Sequence, residues 1–493
     1  MFEKTSPESV GIKSEKVLDF VKTLNGLDLA THSIIMAKGN KIFAETYYEP
    51  FDDKFLHRMY SVSKSFVSVA VGLAMTQGLI KIDDKVVDYF PEFRNDNVDE
   101  LYEQTTIRDA LCMSTNVASF IPWYGKKDNR AAYYYEHPSL KVPATAFWYD
   151  SVGSYILNCI VEKLTGKTFL DYLKDEFLLE MGFSKESYTL YAPGGYTMGD
   201  SGVMCTSRDL LIFARFVMNK GEFNGKQYVD RKFMEDAISC QVYNDVGFGV
   251  APHTKSGYGY LIWKTQGDGF CFNGAGDQYS VCDPKNDFIF VVTSDNQGDK
   301  TGAAIMFHEL YKNLIPSIEK TALEENPDVY NELCEYLDSR KLVSVQGKTK
   351  VEMTDKVDGI TYVLKDNSSK ISKFKLNFDE VGGTFEFEKD GGKKVLEFNY
   401  CSNKISEFPG EKRNSDTVSV LVDGKYKCAT SAAWVDEKTF VIKSQIIDTF
   451  FGGLKVLFSF KDDCVTVLLR KYGQYVLEEY NEGYIMGESK EQY

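Results

Sequence analysis

The sequence predicts a mixed α and β amino-terminal unit followed by an all-β carboxy-terminal one. Three observations carry this. Helix, hairpin and buried-helix patterns fill the first eighty residues. Mainly helical patterns run from about 80 to 220, and short strands return after about 245. Beyond residue 345 apolar residues alternate with polar ones, broken by repeated Gly-containing turns.

Ser14 is the expected cap of a first helix whose apolar face is Val17, Phe20, Val21 and Leu24. Ser33–Lys38 and Lys41–Tyr48 then flank Gly39-Asn40 as a hairpin. Ser61–Gln77, ending at Gly78, is apolar almost all round, which marks a buried helix. Thr106 with Asp109 has the form of a capping box. Strands are expected at Gly257–Trp263, Tyr279–Cys282 and Phe288–Val292, and a helix at Ala303–Leu314. In the last part Phe374, Leu376 and Phe378 alternate with polar residues, as do Phe385 and Phe387. Later strands are Val418–Val422, Thr439–Ile442, Leu454–Phe460 and Val465–Arg470. Turns fall at Asp390-Gly391-Gly392, Asp423-Gly424 and Phe451-Gly452-Gly453. Many short strands with such punctuation predict an antiparallel barrel or sandwich.

Composition narrows the class. The 493 residues are 43% hydrophobic, 26% charged and 14% aromatic, which is globular rather than disordered. A net charge of −15 argues against nucleic-acid binding and against docking on an anionic membrane. The longest nearly apolar stretch, Phe66–Met75, is too short to span a bilayer. The amino terminus has no apolar signal core. The ten cysteines are scattered without a Cys-x-x-Cys pair, which predicts reduced thiols, no zinc site and a cytoplasmic location.

The strongest local signal is Ser61-Val62-Ser63-Lys64 at the start of the buried helix. A serine there sits at the positive end of the helix dipole. A lysine three residues on lies one turn away on the same face. Burial disfavours an ammonium, so such a lysine can accept or relay the proton that a serine nucleophile must lose.

The surrounding text resembles the serine β-lactamase-like superfamily: class C β-lactamases, penicillin-binding DD-peptidases, and their esterase and 6-aminohexanoate-dimer hydrolase relatives. The matching segments are His57-Arg-Met-Tyr-Ser-Val-Ser-Lys-Ser-Phe, Gly78-Leu-Ile-Lys-Ile-Asp-Asp-Lys-Val and Tyr89-Phe-Pro-Glu. Thr106-Ile-Arg-Asp-Ala-Leu, Phe147-Trp-Tyr-Asp-Ser-Val-Gly, Gly202-Val-Met-Cys-Thr-Ser-Arg-Asp-Leu and Asn224-Gly-Lys continue it, over roughly residues 5–317. The resemblance implies an α/β (α+β) domain of the β-lactamase/transpeptidase type, an antiparallel sheet flanked by helices with an all-helical lobe. It also implies Ser61 as nucleophile, Lys64 as its partner, and Tyr149 as the residue that takes the Ser61 proton and returns one to the leaving group.

Two departures from the family pattern bear on substrate. The second motif, Tyr-x-Asn in the family, reads Tyr149-Asp150-Ser151, and a hydroxyl offers fewer donors than an amide. The third motif usually carries Lys or His, and the best match here is Phe272-Asn273-Gly274-Ala275-Gly276-Asp277-Gln278-Tyr279. There Asn273 is a candidate substrate contact. The glycines Gly274 and Gly276 would let substrate approach the strand, and the N–H of Ala275 or of Gly276 would join that of Ser61 as an oxyanion hole. Both departures favour the amide or ester hydrolases over lactam recognition.

Other motifs carry less. Gly199-Asp200-Ser201-Gly202 lacks the sequence context of a chymotrypsin-type nucleophile. His308-Glu309 lacks a second histidine, and Gly247–Pro252 lacks a third glycine. His57 reads as packing near the helix entry rather than as a base. The insert from 117 to 148, with Phe120, Trp123, Tyr124, Tyr133–Tyr135, Phe147, Trp148, Lys126, Lys127 and Arg130, reads equally as a cleft wall or as helical packing.

The expected organisation is a hydrolase domain over 1–317, a helical linker over 318–345 and a β-rich accessory domain over 346–493. The expected reaction is acyl transfer from a small-molecule amide or ester to water through a Ser61 acyl-enzyme, with no metal or cofactor. A β-lactamase or DD-peptidase, and a catalytically idle binding protein on the same fold, are the alternatives.

Overall fold

A central hairpin anchors the first unit of the computed structural model. The structure describes residues 2–94, 98–117, 129–246, 251–298, 301–410, 413–414, 421–422, 425–473 and 476–489. The described chain divides into two compact units, one ending at Lys341 and the other beginning at Leu342.

The sheet of the first unit has seven strands: β1 (Glu3–Lys4), β2 (Thr31–Lys38), β3 (Lys41–Tyr47), β4 (Trp263–Lys264), β5 (Phe270–Gly274), β6 (Gln278–Asp283) and β7 (Phe288–Ser294). Their order is β1-β3-β2-β7-β6-β5-β4, antiparallel except for the β1–β3 pair. Every residue of β7 is buried, so both faces are covered. Helix α1 (Ser14–Gly26) covers one face, with Phe20 edge-on to Phe290 at 5.5 Å. Phe272 pairs with Ser280, and Ser280 with Val291, so Phe272 lies on the face opposite Phe290. Phe213 of a further helix (Ser207–Met218) meets Phe272 there at 5.2 Å.

The helical part is built on α2 (Ser63–Thr76), buried from Ser63 to Ala74. Its Phe66 stacks on Phe213 at 3.7 Å, and a Cβ on Gly72 would stand 2.4 Å from the Phe233 ring. Helix α3 (Ser151–Thr165) packs along α2. The Thr106–Asp109 capping box is present, and Thr206–Asp209 forms a second one. Among the described residues, no helix is long and apolar enough to cross a membrane.

Three local expectations are corrected. Ser14 does not cap α1: Lys13 holds that position, and Ser14 N–H and hydroxyl both donate to the Glu8 carboxylate at 2.6 and 2.8 Å. Gly257–Trp263 is not one strand, because Gly257 and Leu261 take left-handed φ values of 101° and 53° that break an extended run. Phe451-Gly452-Gly453 lies inside a strand rather than a turn; the missing Gly453 side chain admits the Tyr472 hydroxyl, 2.3 Å from where a Cβ would stand. The segment placed between the domains contains a helix, Pro327–Asp338, which packs on α1 and β3.

The second unit is a closed nine-strand barrel. Its meander runs from Thr361–Leu364 through Ile371–Phe378, Gly382–Lys389 and Gly392–Tyr400, then from Lys425–Trp434 to Gly483–Ser489. Gly392–Tyr400 closes it by pairing parallel with Lys425–Trp434 at Asn399–Ser431 and Tyr400–Ala432. Lys404–Pro409 adds a tenth strand outside the ring. Inward-facing Phe374, Phe458, Phe440 and Trp434 fill the interior, with rings 4.9 and 5.1 Å apart in the Phe374–Phe458 and Trp434–Phe440 pairs. The Asp423-Gly424 turn and most of Val418–Val422 lie outside the described residues.

Phe290 is fully buried between α1 and the sheet. Phe290→Ala is expected to cost the first unit about 3–5 kcal/mol, read as an earlier denaturant midpoint by circular dichroism.

Candidate functional site

Ser61 sits at the mouth of α2, in a single tight turn over Tyr60–Val62 that runs into the helix. Tyr60 enters that turn at φ 46°, a left-handed conformation uncommon for a side-chain-bearing residue. The turn is pinned by Val203: its carbonyl accepts Met59 N–H at 2.9 Å, and its N–H donates to Ser63 Oγ at 3.0 Å. Ser65 Oγ donates to Leu261 O at 2.9 Å. Ser61 is the half-exposed residue of this group, with Tyr60, Val62, Ser63 and Lys64 buried around it.

Lys64 is 1% exposed. Its Nζ donates to Ser61 Oγ at 3.0 Å and to the Asp200 carbonyl at 2.7 Å. It also lies 5.1 Å from the centre of the Tyr149 ring. Tyr149 immediately precedes the cap of α3, and its ring stacks on Trp263 at 5.3 Å and 21°. Ser61, Lys64 and Tyr149 are therefore brought together from two helices distant in sequence. Ser151 opens α3 in a half-buried position.

The third segment reaches the same place. A Cβ on Gly274 would lie 2.3 Å from Met59 O, so β5 passes directly against the turn that carries Ser61. The glycine is needed here for backbone contact. The described ladder between β4 and β5 covers Phe270 and Cys271. Beyond it Asn273 is half-buried, and Gly276 turns the chain at φ 79°. Gln278 braces this turn, its Nε2 donating to Ala275 O at 2.9 Å and Ser294 O at 2.6 Å, and its Oε1 accepting from Ser294 N at 3.0 Å.

His57 is buried beside His32. Its Nδ1 donates to Arg58 O at 3.0 Å, so Nε2 is the acceptor for His32 Nδ1 at 2.8 Å. Burial pushes His57 down to about 3. It is a neutral packing residue with both nitrogens engaged. In the insert, Tyr134 and Tyr135 pack on Tyr102 in the core and Arg130 is buried, while Trp148 is exposed. Phe120, Trp123, Tyr124, Lys126 and Lys127 lie outside the described residues.

Sequence reasoning missed two contributions. Gly199–Gly202, set aside as a nucleophile motif, supplies the Asp200 carbonyl that holds Lys64. A backbone acceptor leaves no side-chain signal to find. Gln278 lies within the third motif, but only the strand pairing reveals its role as a brace.

Comparison with known proteins bears on the fold and family of the first unit. A model described as Beta-lactamase matches residues 25–310. A 6-aminohexanoate-dimer hydrolase of Paenarthrobacter ureafaciens is 24% identical over 291 residues, 54% of this chain and 73% of that protein. Among solved structures, a putative 6-aminohexanoate-dimer hydrolase from Bacillus anthracis aligns with TM-score 0.50 at 16% identity, covering 68% of this chain and 88% of that one. A putative beta-lactamase from Bacteroides dorei aligns with TM-score 0.52 at 15% identity, covering 61% and 99%. These two show the fold.

Two outcomes follow. Gly274→Ala is expected to push the Met59–Ser61 turn aside and slow labelling of Ser61 by a fluorophosphonate more than about tenfold, with the barrel's unfolding unchanged. For His57, an unfolded histidine titrates near 6.5 and the folded one at about 3. Between these values the unfolded chain binds more protons, so stability is full above pH 6.5 and falls as pH drops toward 3. In thermal melts from pH 7 to pH 4.5, His57→Gln is expected to lose less stability toward low pH than the native protein, with His32 still contributing in the same direction.

Proposed function

The chain belongs to the Beta-lactamase family, whose members here are serine hydrolases, and from this we propose that it cleaves an amide or ester through a Ser61 acyl-enzyme. The observation that carries the reading is Lys64 Nζ at 3.0 Å from Ser61 Oγ, held there by the Asp200 carbonyl and flanked by Tyr149. A lysine that only filled space would not be buried with its nitrogen on a half-exposed serine.

Ser61 Oγ attacks the carbonyl carbon while its proton passes to the oxygen of Tyr149, which takes part as the phenolate and becomes the hydroxyl, with Lys64 orienting both groups. The carbonyl oxygen becomes an oxyanion, and the leaving amine or alcohol departs with the proton from Tyr149. Water then attacks the acyl-enzyme, gives up a proton by the same route, and releases the acid with Ser61 restored.

Ladder phase favours Ala275 over Gly276 as the second oxyanion donor. Thr265 N–H donates to Gly269 O, and Cys271 pairs with Trp263 two residues further along the same ladder. Backbone N–H groups alternate sides along a strand, so those of Cys271 and Asn273 share the edge that β4 leaves open, and Ala275 follows them as the first residue past the end of β5. Gly276 lies further into the turn, at φ 79°.

A neutral acyl substrate is supported by two features. Ser151 stands where an amide side chain would add donors, and Phe272–Gly276 carries no cation to anchor a carboxylate. The relative named as a 6-aminohexanoate-dimer hydrolase supports a substrate other than a β-lactam.

A panel of p-nitrophenyl esters, linear amides and nitrocefin tests the reading. Ser61→Ala is expected to abolish turnover and fluorophosphonate labelling. Lys64→Ala is expected to lower kcat by about a thousandfold or more, and Tyr149→Phe by about a hundredfold or more. Nitrocefin turnover faster than that of every ester and amide would overturn the substrate class. Ser61→Ala with full activity would overturn the mechanism.

A further inference from the structure

A buried carboxylate stands directly behind Tyr149, and the reaction scheme does not use it. Asp150 is 1% exposed. We propose that Asp150 is a positioning residue that fixes Tyr149 through the cap of α3, and that its ionisation sets the acid limb of activity. This rests on the hydrolase reading above.

The geometry holds Tyr149 from both sides. Ahead of it, Trp148 N–H donates to Met113 O at 2.9 Å. Behind it, Asp150 N–H donates to Met113 Sδ at 3.2 Å. The Asp150 carboxylate then uses both oxygens. Oδ1 accepts from Val152 N at 2.8 Å, and Oδ2 accepts from Gly153 N at 3.2 Å and from Thr115 Oγ1 at 3.2 Å. The α3 amino terminus and the Met113–Val117 segment are thereby joined through one side chain, with Tyr149 at the joint. An anion at this position also complements the helix dipole.

The same carboxylate is poised to titrate. Burial, outweighing the two backbone N–H groups, raises Asp150 to about 6. The titratable groups that interact with it are Lys141 and the Tyr102 and Tyr134 hydroxyls, and Asp109 acts in turn on Lys141 and Tyr134. Lys141, whose Nζ donates to Thr115 O, favours the charged carboxylate, and burial brings Lys141 itself down to about 8. Below pH 6 a proton on Oδ2 turns an acceptor into a donor. Thr115 Oγ1 can receive that proton's hydrogen bond, but Gly153 N–H then competes for a weaker acceptor. The cap loosens, and Tyr149 with it.

The test is the pH profile, from 4.5 to 9, of Ser61 labelling by a fluorophosphonate and of kcat/KM on p-nitrophenyl acetate. The native protein is expected to lose rate with a midpoint near pH 6, about tenfold per unit below it. Asp150→Asn keeps an oxygen for the cap but does not ionise, so this limb is expected to leave the window while Ser61 still labels. Thr115→Val removes a hydrogen bond to the charged form, so the midpoint is expected to rise. Melting midpoints confirm folding, and Thr115→Val keeps the test decisive if Asp150→Asn does not fold. An unchanged midpoint with Ser61 labelled in native protein and variants would overturn the role of Asp150 and leave the hydrolase reading intact. A native protein in which Ser61 is unlabelled at every pH overturns both.

Discussion

The nitrogen of Lys64 is the constraint around which the first unit is arranged. A lysine held at 1% exposure must have its nitrogen satisfied inside the fold. Two acceptors do this, Ser61 Oγ and Asp200 O. The second depends on a loop with no regular structure of its own at that point, so the loop must be held. Helix α3 holds it. Asn158 Nδ2 donates to Thr197 O at 2.7 Å, and Glu162 accepts from Thr197 N–H at 3.1 Å and from the Thr197 hydroxyl. A Cβ on Gly199 would lie 2.5 Å from Asn158 Cβ, so that glycine lets the loop close on the helix. Helix α3 thus places Tyr149 at its start and Asp200 through its middle. Both converge on the side chain that α2 contributes.

How much of this could be read from the residues depended on the range of the interactions. Periodic burial is a local property, so α1, the β2–β3 hairpin and α2 were legible, as were β6, β7 and the barrel strands around Phe374 and Phe385. The Ser61–Lys64 spacing was legible because one helical turn sets it. Elements decided by distant partners were not. Ser14 has the chemistry of a cap, but Glu8 already takes its N–H. The Gly257–Trp263 segment has the composition of a strand, yet Leu261 donates to Leu111 O and accepts from Ser65, which pulls it out of extension. Gly452-Gly453 signals a turn, but these glycines admit Tyr472. In the site, Gly274 was read as room for substrate, while the contact that requires a glycine there, with Met59 O, was invisible.

The barrel follows a different logic. Its stability comes from closure and from aromatic side chains that meet across the interior, Phe374 with Phe458 and Trp434 with Phe440. Alternation along each strand was enough to predict that two faces differ. It was not enough to choose between barrel and sandwich, because that choice rests on the parallel closure of Asn399 on Ser431 and Tyr400 on Ala432. A two-residue ladder at the end of a strand has no sequence signature.

The exchange of asparagine for Ser151 can now be weighed physically. An amide at this position could serve two purposes, holding the lysine and donating to a substrate carbonyl. The first need is met by the Asp200 carbonyl, which at 2.7 Å gives Lys64 a fixed partner independent of residue 151. The lysine is therefore not left unsatisfied by the shorter side chain. On the proposed reaction, what the serine would remove is a side-chain donor at the substrate, and binding would lean on backbone donors at the open edge of β5 and at the start of α2. Backbone N–H groups recognise the carbonyl common to amides and esters, and they carry no information about a ring or a carboxylate beyond it. On the proposed reaction, serine at this position would leave the acyl-transfer groups in place and move selectivity away from side chains that would read the rest of a lactam.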